Sequence, residues 1–254
     1  MTRIYKRLFI LPHYLLGIAW LMMTAGVAYP YFWWIGFERE KLFSFFQFQG
    51  DVVYGLLRPV VRGVSVVRKD TDDAGAARLY AANHQSVMDA FVFSQLGVRR
   101  VVHVAKNWPF RIPFYGRYLR AAGFVNTEEA GLDELCEKIR ALLADGVSVV
   151  FFPEGTRGKT LGRFHSLAFH VAVTVSVGVT PVVISGHAAM LPPRCHWPRP
   201  AKLRYTILPT LSVEDFKDAA GPLRMARTVR HIIAAELGAE NLAISRKTDL
   251  IFKR

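Results

Sequence analysis

The stretch Asp145-Gly146-Val147-Ser148-Val149-Val150-Phe151-Phe152-Pro153-Glu154-Gly155-Thr156-Arg157 decides the fold. Before it, residues 128–144 repeat apolar side chains at helical spacing, with Leu132, Leu135, Ile139, Leu142 and Leu143 on one side. Asp145-Gly146 stops that helix. Residues 147–152 are a continuous apolar run, the mark of a strand buried on both faces. Pro153-Glu154-Gly155 then turns the chain sharply. A helix feeding a doubly buried strand belongs to an α/β layer architecture.

The flanking sequence extends this pattern. Residues 64–67 and 77–81 read as short strands around a turn at 70–73. Residues 86–96 read as a helix, 101–105 as a strand and 164–177 as a helix. Residues 181–184 and 203–208 are strand-like, and 223–237 is helical. The expected fold is α/β, with a mixed, largely parallel sheet flanked by helices. No internal repeat, low-complexity tract or interdomain linker interrupts it.

The N-terminal part has a different texture. Residues 8–37 contain no charged side chain. At about 1.5 Å per helical residue, they can cross a hydrocarbon core of about 30 Å. Three readings compete: a cleaved signal peptide, a single spanning helix, and a pair of helices that enters one leaflet and returns. Arg3, Lys6 and Arg7 with Gly26-Val27-Ala28 fit the first. Against it, the apolar run continues through Tyr31, Phe32, Trp33 and Trp34, an aromatic interfacial belt. Positive charge flanks both ends, with Arg39 and Lys41 on the far side, and Pro12 and Pro30 would bend or end a helix. The segment after Lys41 reads as an amphipathic helix. The favoured expectation is a two-helix membrane anchor at 1–62 with both ends cytosolic, followed by a globular domain at 63–254. That places the protein at the cytoplasmic membrane, with its domain facing the cytosol.

Composition narrows the partners. The chain has 254 residues, 33 Lys+Arg against 20 Asp+Glu, a net charge of +13, and 52% apolar or aromatic residues. Its pI is near 10.0 and its mean hydropathy +0.20. A disordered basic tail is excluded by that apolar content. The charge fits nucleic acid or an anionic membrane with acidic substrates, and the apolar excess favours the membrane. No nucleic-acid recognition motif accompanies the scattered basic residues, at Arg99-Arg100, 194–204 and 246–254. Cys136 and Cys195 form no CxxC pair, which points to a reduced protein without a cysteine metal site.

Three blocks carry chemistry. Asn83-His84-Gln85-Ser86-Val87-Met88-Asp89 follows a strand and opens a helix. Its histidine would sit at the sheet's carboxyl edge, where α/β proteins place ligands. If the turn bends back, Asp89 reaches one ring nitrogen of His84 and leaves the other as a base. That is a triad without its serine. Ser86 lies in no GxSxG elbow, so the nucleophile is expected to be the substrate's own hydroxyl. In the second block, Lys106 lies among Trp108, Pro109, Phe114, Tyr115 and Gly116, which reads as a lipid-facing loop. The third runs from Phe152 through Glu154, Gly155 and Thr156 to Arg157. There Gly155 permits close backbone approach, Arg157 offers a fork for phosphate, and Glu154 orients a polar acceptor or the loop itself. His165 and His170 lack zinc spacing, and Cys195-His196-Trp197 reads as packing.

In order and spacing these blocks resemble those of the glycerolipid acyltransferase family, most of all the bacterial 1-acylglycerol-3-phosphate O-acyltransferases. His84 to Asp89 resembles the family's His-x4-Asp block. Lys106 to Gly123 resembles the second block, Phe152-Pro153-Glu154-Gly155-Thr156-Arg157 the third, and Val179-Thr180-Pro181-Val182-Val183 the fourth. The resemblance implies acyl transfer from acyl-ACP or acyl-CoA, as co-substrate, to the hydroxyl of a lysolipid. His84 and Asp89 would be catalytic; Lys106, Glu154, Gly155, Thr156 and Arg157 would bind substrate. No metal and no bound cofactor are implied. The partners would be membrane lipids and a carrier-protein or CoA thioester, not nucleic acid. Two departures stand out. The family's second block ends in an arginine where this chain has Glu129, and its Phe-Lys-x-Gly is here Phe164-His165-Ser166-Leu167. They open the acceptor to other lysolipids or to a lipid without a phosphomonoester, and leave a silent lipid-binding relative as a further reading.

Overall fold

The computed structural model describes residues 3–70, 76–195 and 197–252. The turn expected at 70–73 therefore falls largely outside the described residues, as does His196. So do the side chains of Arg3, Lys6 and Arg7 and of the 246–254 cluster. The elements run α1 (Arg3–Trp34), α2 (Arg39–Leu56), β1 (Val61–Arg68), β2 (Leu79–Ala82), a 3-10 turn (Val87–Phe91), α3 (Val92–Gln95) and β3 (Val101–Ala105). A second 3-10 turn (Trp108–Arg111) leads to α4 (Tyr115–Ala122), β4 (Val125–Asn126), α5 (Leu132–Ala144), β5 (Ser148–Phe151), α6 (Leu167–Val175) and β6 (Val179–Ser185). Then come α7 (His187–Met190), β7 (Ala201–Ile207), a third 3-10 turn (Glu214–Phe216) and α8 (Gly221–Phe252).

The sheet has seven strands in the order β1-β7-β6-β2-β5-β3-β4. Every pairing is parallel except β6 with β7. Strands β2 and β5 are buried throughout, β5 with Ser148 as its one polar side chain, which accepts from Arg78 N at 3.2 Å. Alternate residues feed two cores. Leu79, Ala81, Val149, Phe151 and Val183 face the layer of α5, α6 and α8. Tyr80, Ala82, Val150, Val182 and Ile184 face α3, α7 and the end of α2. The crossover leaving β2 heads for β3, and the one leaving β5 heads the other way for β6. Between their carboxyl ends lies the crevice where open α/β sheets take ligands.

The helix expected at 86–96 is a 3-10 turn running into a single short α-helical turn. Ser86 and Asp89 cap it reciprocally, and that tight cap holds the first residues in a 3-10 winding. The loop expected around Lys106 contains a helix, α4, whose Tyr118 is fully buried and donates to Ala25 O at 2.6 Å.

One expectation is corrected. Among the described residues a single helix segment, Leu15–Trp34 of α1, is long and apolar enough to cross a membrane, with only 17% of it buried. The second half of the expected two-helix anchor, α2, is part of the globular core. Its Leu42 and Phe43 enter one core and its Val53 and Tyr54 the other. The apolar stripe of this amphipathic helix is covered by protein at Leu42, Phe43, Val53 and Tyr54. Gln49 of α2 also joins the helices, accepting from Trp20 at 2.8 Å and donating to Thr24 at 2.6 Å.

Candidate active site

Strand register assembles the site. Tyr80 lies level with Val150 on one side and Thr180 on the other. Four residues further along each strand come His84, Glu154 and Ile184. The parallel sheet therefore brings the first, third and fourth sequence blocks to one edge.

Most of the first block is tied to the segment that leaves β6. Asn83, buried, donates to Ile184 O at 2.9 Å and accepts from Ile184 N at 2.7 Å. Gln85 accepts from Ala188 N at 3.1 Å, and the Ser86 hydroxyl donates to Leu191 O at 2.7 Å. Ser86 is 1% exposed, so its hydroxyl is neither free nor accessible to act as a nucleophile.

His84 faces the other way. Its ring stacks on Phe152 at a centroid distance of 4.4 Å. Phe152 in turn stacks on His103 and His103 on Phe124, a row of four rings across the strand ends. His84 Nδ1 lies 2.8 Å from Asp89 Oδ2. Its Nε2 has no hydrogen bond among the described residues, and the side chain is 21% exposed. Because the carboxylate can only accept, Nδ1 carries the proton and Nε2 presents a lone pair outward.

Asp89 is fully buried and collects four donors. Oδ2 accepts from His84, from Gln85 N at 2.5 Å and from Ser86 N at 2.9 Å. Oδ1 lies 2.5 Å from Nδ1 of His187, and His187 Nε2 is 2.8 Å from the Tyr205 hydroxyl. Tyr205 is 2.6 Å from the Tyr54 hydroxyl. Burial alone would raise the Asp89 carboxyl, but its hydrogen bonds with His187 and His84 outweigh that and hold it at about 2. Burial pushes the Tyr54 and Tyr205 phenols up, so both stay protonated. His103 is pushed down to about 4, first by burial and then by the nearby His84, which makes it a neutral ring.

Glu154 spends both oxygens on backbone. Oε1 accepts from His84 N and Oε2 from Gly162 N, each at 2.7 Å. Gly158 N donates to His84 O at 2.9 Å. Glu154 therefore clasps the 155–163 loop against His84, which is the loop-orienting role among those its position suggested. Burial raises its carboxyl above the ordinary value, against the pull of the two amides. Gly155 has φ +65, a conformation that favours glycine. Thr156, Arg157, Lys159 and Arg163 project from this loop exposed, as does Lys106 beyond β3. Arg157, Lys159, Arg163 and Lys106 form no ion pair among the described residues.

Glu129 pairs with Arg120 through two hydrogen bonds of 2.6 and 2.8 Å, on the rim of an open groove of about 490 Å³ that also meets Arg39 and Lys138. His84 does not line that groove. No group of three or more His, Cys, Asp or Glu side chains is placed to hold a metal ion among the described residues.

The sequence reading did not single out His187, Tyr205 or Tyr54. A signal existed for the first: His187 follows the proline-containing strand 179–185 by two residues. Using it requires knowing that β6 lies beside β2.

Comparison with known proteins bears on the family and the fold. The profile of the family described as Acyltransferase matches residues 59–185, half of the chain. A chloroplast 1-acyl-sn-glycerol-3-phosphate acyltransferase of Arabidopsis thaliana is 34% identical over 119 residues, 45% of this chain and 33% of the relative. The 1-acyl-sn-glycerol-3-phosphate acyltransferase of Escherichia coli K12 is 30% identical over 140 residues, 52% of this chain and 57% of the relative. The chain thus matches only about a third of the Arabidopsis relative and little over half of the bacterial one. The crystal structure of the 1-acyl-sn-glycerophosphate (LPA) acyltransferase PlsC from Thermotoga maritima superposes with a TM-score of 0.75 at 21% identity, covering 94% of this chain and 98% of that one. At that identity the likeness speaks for the fold.

Proposed function

The chain belongs to the acyltransferase family, and from that premise we propose that it moves a fatty acyl group from acyl-ACP or acyl-CoA to the free hydroxyl of 1-acylglycerol-3-phosphate, giving phosphatidic acid. The observation that carries the proposal is the His84–Asp89 pair with Nε2 open and Ser86 spent on Leu191. A base is available and the neighbouring protein hydroxyl is not, so the acceptor lipid supplies the nucleophile.

His84 Nε2 takes the proton of the acceptor hydroxyl as that oxygen attacks the thioester carbonyl. Asp89 holds the ring in the Nδ1–H tautomer and stabilises the imidazolium. The tetrahedral intermediate collapses, the carbon–sulfur bond breaks, and His84 returns its proton to the leaving thiolate. One ester forms for one thioester lost. Arg157, on the loop that Glu154 clasps and without an ion pair among the described residues, offers a bidentate fork to the acceptor phosphate. Lys106, Lys159 and Arg163 add positive potential around the crevice, and Gly155 and Thr156 shape the turn that presents it.

The exposed apolar face of α1 supports a membrane setting. Trp33 and Trp34, 70% and 82% exposed, suit the aromatic belt of an interface. We place α1 in the cytoplasmic membrane and the domain on its cytosolic side. A second reading, favoured by the Arg120–Glu129 pair, keeps the reaction and changes the acceptor to another lysolipid, because the second block ends in a neutralised ion pair.

The test is an assay of the purified protein in lipid vesicles with acyl-CoA, acyl-ACP and a panel of lysolipids. Turnover of lysophosphatidate that falls by about 10²–10⁴ in His84→Ala is expected. Retained turnover in that variant would reject the mechanism, and turnover of a different lysolipid alone would select the second reading.

A further inference from the structure

We propose that His187 is a positioning residue for the acyl-transfer reaction: anchored from behind by Tyr205 and Tyr54, it holds Oδ1 of Asp89 and so sets the rotation of the carboxylate that aims Oδ2 at His84. The inference rests on the proposed role of His84 as base.

Hydrogen-bond polarity carries it. The ionised Asp89 carboxylate only accepts, so His187 donates through Nδ1–H. Its Nε2 then accepts from the Tyr205 O–H, and Tyr205 accepts from the Tyr54 O–H. In this direction every buried hydrogen has an acceptor. Reversing it would put a second proton on His187, turn Tyr205 toward Tyr54 and leave the Tyr54 hydrogen unpaired in a closed site. The groups facing His187 are Asp89 from the 3-10 turn, Tyr205 from β7 and Tyr54 from α2, and all are buried.

Asp89 needs such a partner. Three N–H groups converge on Oδ2, and among the described residues His187 alone meets Oδ1. Without His187, the empty oxygen of a buried carboxylate would draw the group round to share its donors, and the His84 ring would lose its stop. The backbone is built to put His187 there. Gly186 has φ +95, and a Cβ at that position would lie 2.1 Å from Lys202 O, so only glycine brings β6 into α7 this tightly. Asn83 locks Ile184 two residues earlier, on both its N–H and its carbonyl.

The experiment compares His187→Leu, His187→Asn and Tyr205→Phe in the full-length protein. Asparagine keeps an N–H near the place of Nδ1, whereas leucine fills similar space without one. His187→Leu is expected to lose about 100-fold in kcat with KM for both substrates little changed, the scale of a misplaced catalytic group. His187→Asn should recover most of that loss, and Tyr205→Phe should fall between. Equal loss in the Leu and Asn variants, or a folded His187→Leu protein with unchanged kcat, would overturn the proposal. Nitrogen-15 spectra of the histidine rings give a readout that needs no turnover. In the wild type His187 should show its proton on Nδ1 and an accepting Nε2, and the His84 signals should shift in His187→Leu. An Nε2–H tautomer at His187 would overturn the proposal even if the wild type transferred no acyl group, the outcome that would instead sink the reaction assigned above.

Discussion

His84 is the one polar side chain of the 83–89 block that is not anchored to the end of β6 or the segment after it. Asn83, Gln85, Ser86 and Asp89 all bind residues 184–191, which leaves His84 as the half-buried member of the cluster with a ring nitrogen open. The buried carboxylate at its centre has a consequence for acid stability. Asp89 is held at about 2 against an unfolded value near 3.8, so the folded state binds its proton more weakly than the unfolded chain does. Its contribution is present above about pH 4, is lost as pH falls toward 2, and amounts to about 2 kcal/mol. The stability gap between wild type and Asp89→Asn should therefore narrow by that order between pH 5 and pH 2 in denaturant titrations. Glu154 gives a different prediction. Glu154→Gln replaces one accepting oxygen with an NH2 that faces a backbone N–H. A loss of about 1–3 kcal/mol is expected. KM for the phosphorylated acceptor should rise more than KM for the thioester, because Arg157 rides on the loop released. Thermal melts and steady-state kinetics check both parts.

Elements differ in how readily the sequence betrays them. The strands at 147–152 and 181–184 are legible because burial on both faces demands unbroken apolar runs. Helix α4 is hidden because Pro109 and Pro113 lie just before it and Gly116 falls in its first turn, all loop-like signals. Helix α2 shows an apolar stripe, but a stripe does not say whether lipid or protein covers it. In the structure Leu42, Phe43, Val53 and Tyr54 are covered by protein. In the site, His84 and Asp89 are visible because both belong to one short block. His187 and Tyr205 are not, because strand order rather than spacing makes them neighbours. Helix α1 is the element left with an apolar face to solvent, and a prediction belongs to it. Trp33→Ser with Trp34→Ser should weaken binding to anionic vesicles in sedimentation assays. The Tyr118 hydrogen bond to Ala25 and the fold should survive, because both tryptophans point away from the core.

At the scale of the whole molecule, the +13 charge and the apolar half of the sequence divide the labour. Apolar residues fill the two cores and coat α1, while exposed cations stand at the crevice. The hydrogen-bonded chain from Tyr54 through Tyr205 and His187 to Asp89 joins α2, β7, α7 and the turn after β2, and so reaches across most of the polypeptide. That breadth bears on how the molecule comes into being. No fragment ending before residue 205 contains the full chain of contacts, and such long-range contacts form late in folding. When the denatured protein is diluted from urea into vesicles, helix content should return before catalysis does. A ribosome must release the last sheet strand before His84 is properly seated.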